Sequence, residues 1–183
     1  FRPRPQHFET HHQRPWRSVD RVQPHGRRRQ HPGCAFYGSS VDRLTGRFGG
    51  STLLIMEQVH ATSIDIDGAG VLLRGPSASG KSDLALRMIA NGARLVADDR
   101  TDLAVKDGRV FASAPAALAG RLEVRGIGIL TVGAVQDSPL ALVIDLVAPA
   151  DVERLPDPTK AELLGIRLPL LRLAPFEASA PTK

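Results

Sequence analysis

From about Gln58, the apolar residues Val59, Ala61, Ile64 and Ile66 alternate roughly with polar ones, as on a half-buried strand. Asp67-Gly68 interrupts the run, and Gly70 to Arg74 returns as its partner, which predicts a hairpin. The period then changes. Leu84, Leu86, Met88 and Ile89 mix with Arg87 and Asn91 as the packed side of a helix does, and Gly92 supplies its stop. Arg94 to Ala97 reads as a strand ending in Asp98-Asp99, and Leu103 to Val105 with Arg109 to Phe111 flank Asp107-Gly108 as a second hairpin. Pro115 leads into a short helix-like stretch, Glu123 to Leu130 is apolar and glycine-punctuated, and Leu140 to Val147 is a buried strand. One helical turn is expected around Asp151 to Arg154, and a last strand over Ile166 to Leu173. Strands outnumber helices and several are joined as hairpins, which excludes a plain doubly wound parallel sheet. The expected fold is α/β, a mixed β-sheet with few helices. No internal repeat interrupts it.

Between the strand and the helix stands Gly75-Pro76-Ser77-Ala78-Ser79-Gly80-Lys81-Ser82, a complete G-x-x-x-x-G-K-[ST] phosphate-binding loop. By average residue usage the pattern arises by chance in roughly one in a hundred or two hundred chains of this length, and the strand-loop-helix setting lowers that further. In such a loop successive backbone N–H groups face phosphate oxygens and the helix N-terminus adds partial positive charge. Lys81 would reach the outer phosphates and Ser82 would ligate magnesium, so Gly75 to Ser82 form the expected ATP site.

Composition narrows the rest. The chain has 183 residues, 42% hydrophobic and 23% charged, enough for one ordinary domain with a core. Residues 1–50 hold ten Arg and three acids, net +7, which leaves the remainder at net −2 against a whole-chain charge of +5. Residues 1–55 show no periodic apolar run and cannot build a core. They are expected to be a disordered or non-native basic extension, with Met56 as the start of the functional chain and residues 56–183 as the catalytic domain. Arg27-Arg28-Arg29 and Trp16 allow a nucleic-acid arm, but nucleic acid is the disfavoured partner. His7, His11, His12, His25, His31 and Cys34 lack zinc-ligand spacing. The single cysteine excludes an internal disulfide framework, and no apolar run approaches the eighteen residues that span a bilayer. A cytoplasmic protein without a membrane partner is the expectation.

A kinase also needs carboxylates that hold magnesium and one that takes the acceptor's proton. Asp98-Asp99, at a strand end 17 residues after Ser82, is placed for this if its strand runs beside the loop. Over His60 to Arg154 the chain resembles the C-terminal catalytic domain of bacterial HPr kinase/phosphorylase. The resemblance rests on His60, GPSASGKSD at the loop, Arg94-Leu95-Val96-Ala97-Asp98-Asp99, and Leu122-Glu123-Val124-Arg125-Gly126-Ile127-Gly128-Ile129. It implies a P-loop kinase domain of the HPr kinase / phosphoenolpyruvate carboxykinase-like type. The implied activity is transfer of phosphate from ATP, with Mg2+, to a serine of the phosphocarrier protein HPr or its nitrogen-branch relative, within phosphotransferase-system regulation. The reverse phosphorolysis is a second implied reaction, and a homo-oligomer the implied assembly. Carried over residue by residue, Asp99 is the proton acceptor, Lys81 the phosphate-binding lysine, and Ser82 and Glu123 magnesium ligands, with Asp98 beside them. His60 and Arg154 match further active-site positions, and Leu122 to Thr131 a segment serving both reactions.

The chain departs from the family's pattern in places. Pro76, Ala78 and Asp83 replace an acid, a glycine and a glutamate, and the interval from Glu123 to Arg154 is about ten residues shorter than usual. The family's Pro-Gly-Arg-Asn stretch, which supports dephosphorylation, appears here as Leu173-Ala174-Pro175-Phe176-Glu177-Ala178. Kinase activity is therefore favoured over phosphorylase activity. The alternative is a non-catalytic ATP-binding regulatory module that keeps Lys81 and Ser82 but transfers nothing, and Asp99 and Glu123 argue against it.

Overall fold

The alternating runs become eleven strands in the computed structural model, which describes residues 56–183. The expectation for residues 1–55 lies outside the described residues. In chain order the elements are β1 (Met56–Val59), β2 (Thr62–Ile66), β3 (Ala69–Arg74), α1 (Lys81–Ala90), β4 (Arg94–Ala97), β5 (Thr101–Lys106) and β6 (Arg109–Ser113). There follow β7 (Arg121–Val124), β8 (Gly128–Thr131), β9 (Asp137–Leu146), β10 (Thr159–Leu163) and β11 (Ile166–Leu173). Nine strands form one mixed sheet and β7 and β8 pair as a separate hairpin, so the expected mixed sheet with a single long helix is what the described residues show.

Local chemistry sets the turns. Asp67-Gly68 and Asp107-Gly108 both take positive φ at each residue, the conformation that a two-residue hairpin loop needs and that Asp and Gly tolerate. A third such turn, Leu164-Gly165, joins β10 to β11. Leucine rarely adopts φ near 51°, so no turn signal marked this hairpin in the sequence and β10 was not expected. The helical turn comes earlier than expected, at Pro149–Asp151, because proline at the first position presets the turn. Arg154 lies beyond it in an exposed loop.

The sheet order is β1-β5-β6-β9-β3-β2-β4. The long β9 pairs with β3 on one edge; β6, at Asp137 to Pro139, and β11, at Val143 to Leu146, share the other. β1 and β2 are consecutive in the chain yet lie toward opposite ends of that order, and only His60 and Ala61 connect them. Two residues bridge on the order of 10 Å, so the sheet must curl until its ends meet. The β4–β5 linker, Asp98 to Arg100, crosses the same seam, and the Thr101 hydroxyl fastens it by donating to the Ala61 carbonyl at 3.0 Å. The single strand expected from Val59 to Ile66 is therefore broken at the seam.

Alternation along the strands builds two cores. Leu72, Val96, Leu103, Val110 and Val143 face the inside of the curl, joined by Ala161 and Leu163 of β10. Val71, Leu73, Ile144, Leu146 and Leu173 face outward and meet Leu84, Ala85 and Met88 of α1. β3 is buried on both faces, which is why it reads as a nearly continuous apolar run.

β2 runs antiparallel to both β3 and β4, and β9 runs parallel to β3 and β11. The C-terminal ends of β3, β4, β9 and β11 therefore emerge on one edge of the sheet. That edge carries the phosphate loop.

Candidate active site

Ligands of open sheets gather beyond the carboxyl ends of parallel strands, and here a cleft of about 390 Å³ opens at that edge. The loop after β3 forms its floor. Gly80 sits at φ 89° as the residue before α1, and the first helical bond runs from the Leu84 N–H to the Gly80 carbonyl at 2.9 Å. The N–H groups of Lys81, Ser82 and Asp83 precede that ladder and stay available to an anion. Gly75 is required by space, since a Cβ there would lie 2.6 Å from Ser79 Oγ, which is itself buried without a hydrogen-bond partner among the described residues. A glycine cradle, free N–H groups and a loop hydroxyl lacking a partner fit a bound phosphate chain.

Lys81 is buried to 6% exposure, and its ammonium donates to the carbonyls of Gly75 and Pro76, each at 3.0 Å. Its third contact is His60 Nε2 at 3.2 Å. Burial lowers the lysine's pKa, and the charges of Asp99 and Asp98 offset part of that shift. An ammonium only donates, so Nε2 accepts and the imidazole proton sits on Nδ1. That nitrogen donates to Asp99 Oδ1 at 3.1 Å. Asp99, His60 and Lys81 thus form one chain of polar contacts at the seam, with His60 and Asp99 supplied by the two short linkers that cross it and Lys81 by the start of α1.

The adjacent acids divide the work through backbone geometry. The Arg100 N–H donates to the Asp98 carbonyl at 2.7 Å, and Asp99 between them takes φ 63°, a left-handed conformation that aspartate tolerates better than most residues. The two carboxylates therefore separate. Asp98 turns inward at 6% exposure and accepts from Thr62 Oγ1 at 2.7 Å, Ser82 Oγ at 2.9 Å and the Glu123 N–H at 3.0 Å. It ties β2, the start of α1 and β7 together. Asp99 lines the open cleft with its side chain 62% exposed.

Ser82, Asp98 and Glu123 all line the cleft. Two carboxylates and a hydroxyl beside the phosphate loop are donors of the kind magnesium takes, an ion usually held by one or two carboxylates, waters and substrate phosphates. Every candidate from Ser77 to Ser82 except Ser79 also lines this cleft, as do His60, Asp98, Asp99 and Glu123; Gly75 and Pro76 support it from behind through Lys81. Arg154 is not brought there. Three residues escaped the reading of the sequence. Thr62 carries no motif; Arg125, which lines the cleft, lay inside the glycine-punctuated segment without being singled out; Phe176 borders the cleft from the segment after β11.

A phosphate loop between a buried strand and a helix, with an acidic pair ending a parallel strand on the same edge, defines a P-loop kinase-type domain. Residues 51–177 match the HPr Serine kinase C-terminal domain family. The chain belongs to that family. It is 34% identical over 150 residues to the HPr kinase/phosphorylase of Streptococcus gordonii, a match that covers 74% of this chain and 48% of the relative. The HPr kinase/phosphorylase of Lactiplantibacillus plantarum is 44% identical over 98 residues, covering 49% of this chain and 31% of the relative. The solved structure of the Hpr(Ser) kinase/phosphatase from Coxiella burnetii aligns with a TM-score of 0.62 at 31% identity, over 69% of this chain and 84% of that one. The chain spans about half the length of the curated relatives it matches most fully. Among the described residues, no helix is long and apolar enough to cross a membrane.

Proposed function

We propose that the domain transfers the γ-phosphate of ATP to a serine hydroxyl on an HPr-type phosphocarrier protein, and that it acts in the cytoplasm as a homo-oligomer. The observation that carries this reading is the contact chain Asp99–His60–Lys81, which couples a cleft-facing carboxylate to the lysine of the phosphate loop. A serine hydroxyl has a high pKa, so a carboxylate placed to take its proton as the phosphoryl group moves is useful. Asp99 takes that proton. His60 holds Asp99 through its Nδ1–H and is a positioning residue. Lys81 exchanges its two loop carbonyls for phosphate oxygens, and its depressed basicity reflects the desolvated site it occupies. Arg125, on the cleft wall, is set to stabilise charge on the transferring group. A corresponding role for Arg154 needs the exposed loop after β9 to carry it inward.

Ser82, Asp98 and Glu123 are the residues that would hold magnesium, whose charge neutralises the phosphate oxygens when it is bound. The alternative, a nucleotide-binding regulatory module without transfer, leaves the exposed Asp99 and its histidine partner unexplained. Kinase activity is favoured over phosphorolysis, because the segment after β11 lacks the family's dephosphorylation stretch. The test is transfer of labelled γ-phosphate from Mg-ATP to purified HPr by the full chain, beside Asp99→Asn. Serine labelling that disappears in the variant supports the kinase; ATP binding without labelling in both proteins overturns it in favour of the regulatory module.

A further inference from the structure

A second cavity, of about 450 Å³, abuts the phosphate loop. Pro76 and Ser79 form one wall, Leu146 at the end of β9 and Pro149 beyond it another, and Pro175 and Phe176 after β11 a third. Its volume falls within the roughly 300–1,000 Å³ of small-ligand pockets, which are lined by apolar side chains with a few polar groups at the rim. Phe176 also lines the first cleft, and its ring reaches Gly80, where a Cβ would lie 2.8 Å from Cζ. With 71% of its surface exposed, the ring stands at the junction of cleft and cavity and offers an open face.

The ring's place is set by the helix that begins at the loop. Arg87 of α1 donates to the carbonyls of Pro175 and Glu177, which bracket Phe176. Position and openness together make a stacking platform rather than a core residue. The lining contributes one carboxylate, Glu177, and no cation, so the cavity suits an uncharged ring and not a phosphate. A nucleobase has that character, with apolar faces for stacking and polar edges for backbone groups.

We infer that this cavity binds the base of the nucleotide whose phosphates the loop holds, with Phe176 as the surface on which the base stacks. The inference rests on the nucleotide-binding reading above. It assigns a role to the segment Leu173–Ala178, where this chain departs from its family.

The test measures binding of Mg-ATP and of inorganic tripolyphosphate with magnesium to the full chain, by calorimetry, for wild type, Phe176→Ala and Ala148→Trp. Tripolyphosphate carries the phosphate chain without a base. Ala148 is exposed, lines the cavity and lies outside the phosphate loop, so a tryptophan there takes up the space without altering a residue of the phosphate cradle. Both variants should lose about tenfold or more in ATP affinity, the scale of one base stack, and keep tripolyphosphate affinity within about twofold. Wild type that binds both ligands, with ATP affinity unchanged in the variants or both affinities falling in parallel, overturns the base site alone. Wild type that binds neither ligand overturns the phosphate-loop reading and the base site with it.

Discussion

Asp98 joins three elements at the site, and removing it should cost folding stability before any question of chemistry arises. Its carboxylate receives three hydrogen bonds at 2.7–3.0 Å, and one donor, Thr62, is wholly buried. Each such bond contributes about 1 kcal/mol net, and a buried group left without a partner costs roughly 1–3 kcal/mol. Asp98→Ala should therefore destabilise by about 3 kcal/mol. For a folded region of this size that lowers Tm by about 10 °C. Asp98→Asn is the informative contrast. Its carbonyl oxygen can accept from the Glu123 N–H while its two amide hydrogens donate to the hydroxyls of Thr62 and Ser82, which rotate to accept. The amide variant should lose no more than about 1 kcal/mol, yet it removes a negative charge at the proposed magnesium site. Thermal and urea unfolding of the three proteins, read by circular dichroism with and without magnesium, decide the matter. An alanine variant within 2 °C of wild type, or equal losses in both variants, would refute the account of Asp98 as the joint between β2, α1 and β7.

His60→Ala should lower kcat for phosphate transfer by roughly 10²-fold, the scale of a misplaced catalytic group, while ATP affinity changes little; parallel losses in both would mean that His60 serves binding rather than the position of Asp99. Gly80→Ala forces an alanine to φ 89°, a left-handed conformation costing about 1–2 kcal/mol. The exposed Phe176 ring can move aside, so strain rather than crowding decides; unchanged Tm together with unchanged ATP affinity would contradict this. Burial pushes the Asp65 pKa up, but hydrogen bonds from Ser138, Gly68 and Arg94, with the charge of Arg94, leave it below the ordinary value of 3.8. A depressed folded pKa stabilises above the unfolded value and loses that contribution as pH falls through the folded one. Urea unfolding should therefore show wild type losing stability faster than Asp65→Asn as pH falls below the ordinary value of 3.8, and parallel curves would be evidence against it.

Local rules carry far in this chain. The Asp-Gly hairpins, the helix that Gly92 closes, the buried run of β3 and the phosphate loop all follow from interactions among near neighbours, so each was legible one segment at a time. The hairpin at Leu164-Gly165 was hidden because its first residue is not one that favours positive φ, and the tertiary pairing of β11 with β9 overrides that preference. The acidic pair could be recognised as such, but not its division into a buried joint and an exposed carboxylate, which depends on one residue's φ at the end of β4.

By itself the sequence determined the phosphate loop, its strand and helix, and the chemical types gathered for phosphoryl transfer, because backbone preference and side-chain period act over a few residues. Only the curl of the sheet decided that His60 meets Asp99 on one side and Lys81 on the other. Their linkers stand 39 residues apart, and the closing of the seam is a property of strand order and twist, which no local pattern encodes. The same holds for Phe176. It reaches the loop because β11 lies beside β9 and Arg87 holds the chain that follows, so its place at the site is a consequence of packing between distant elements.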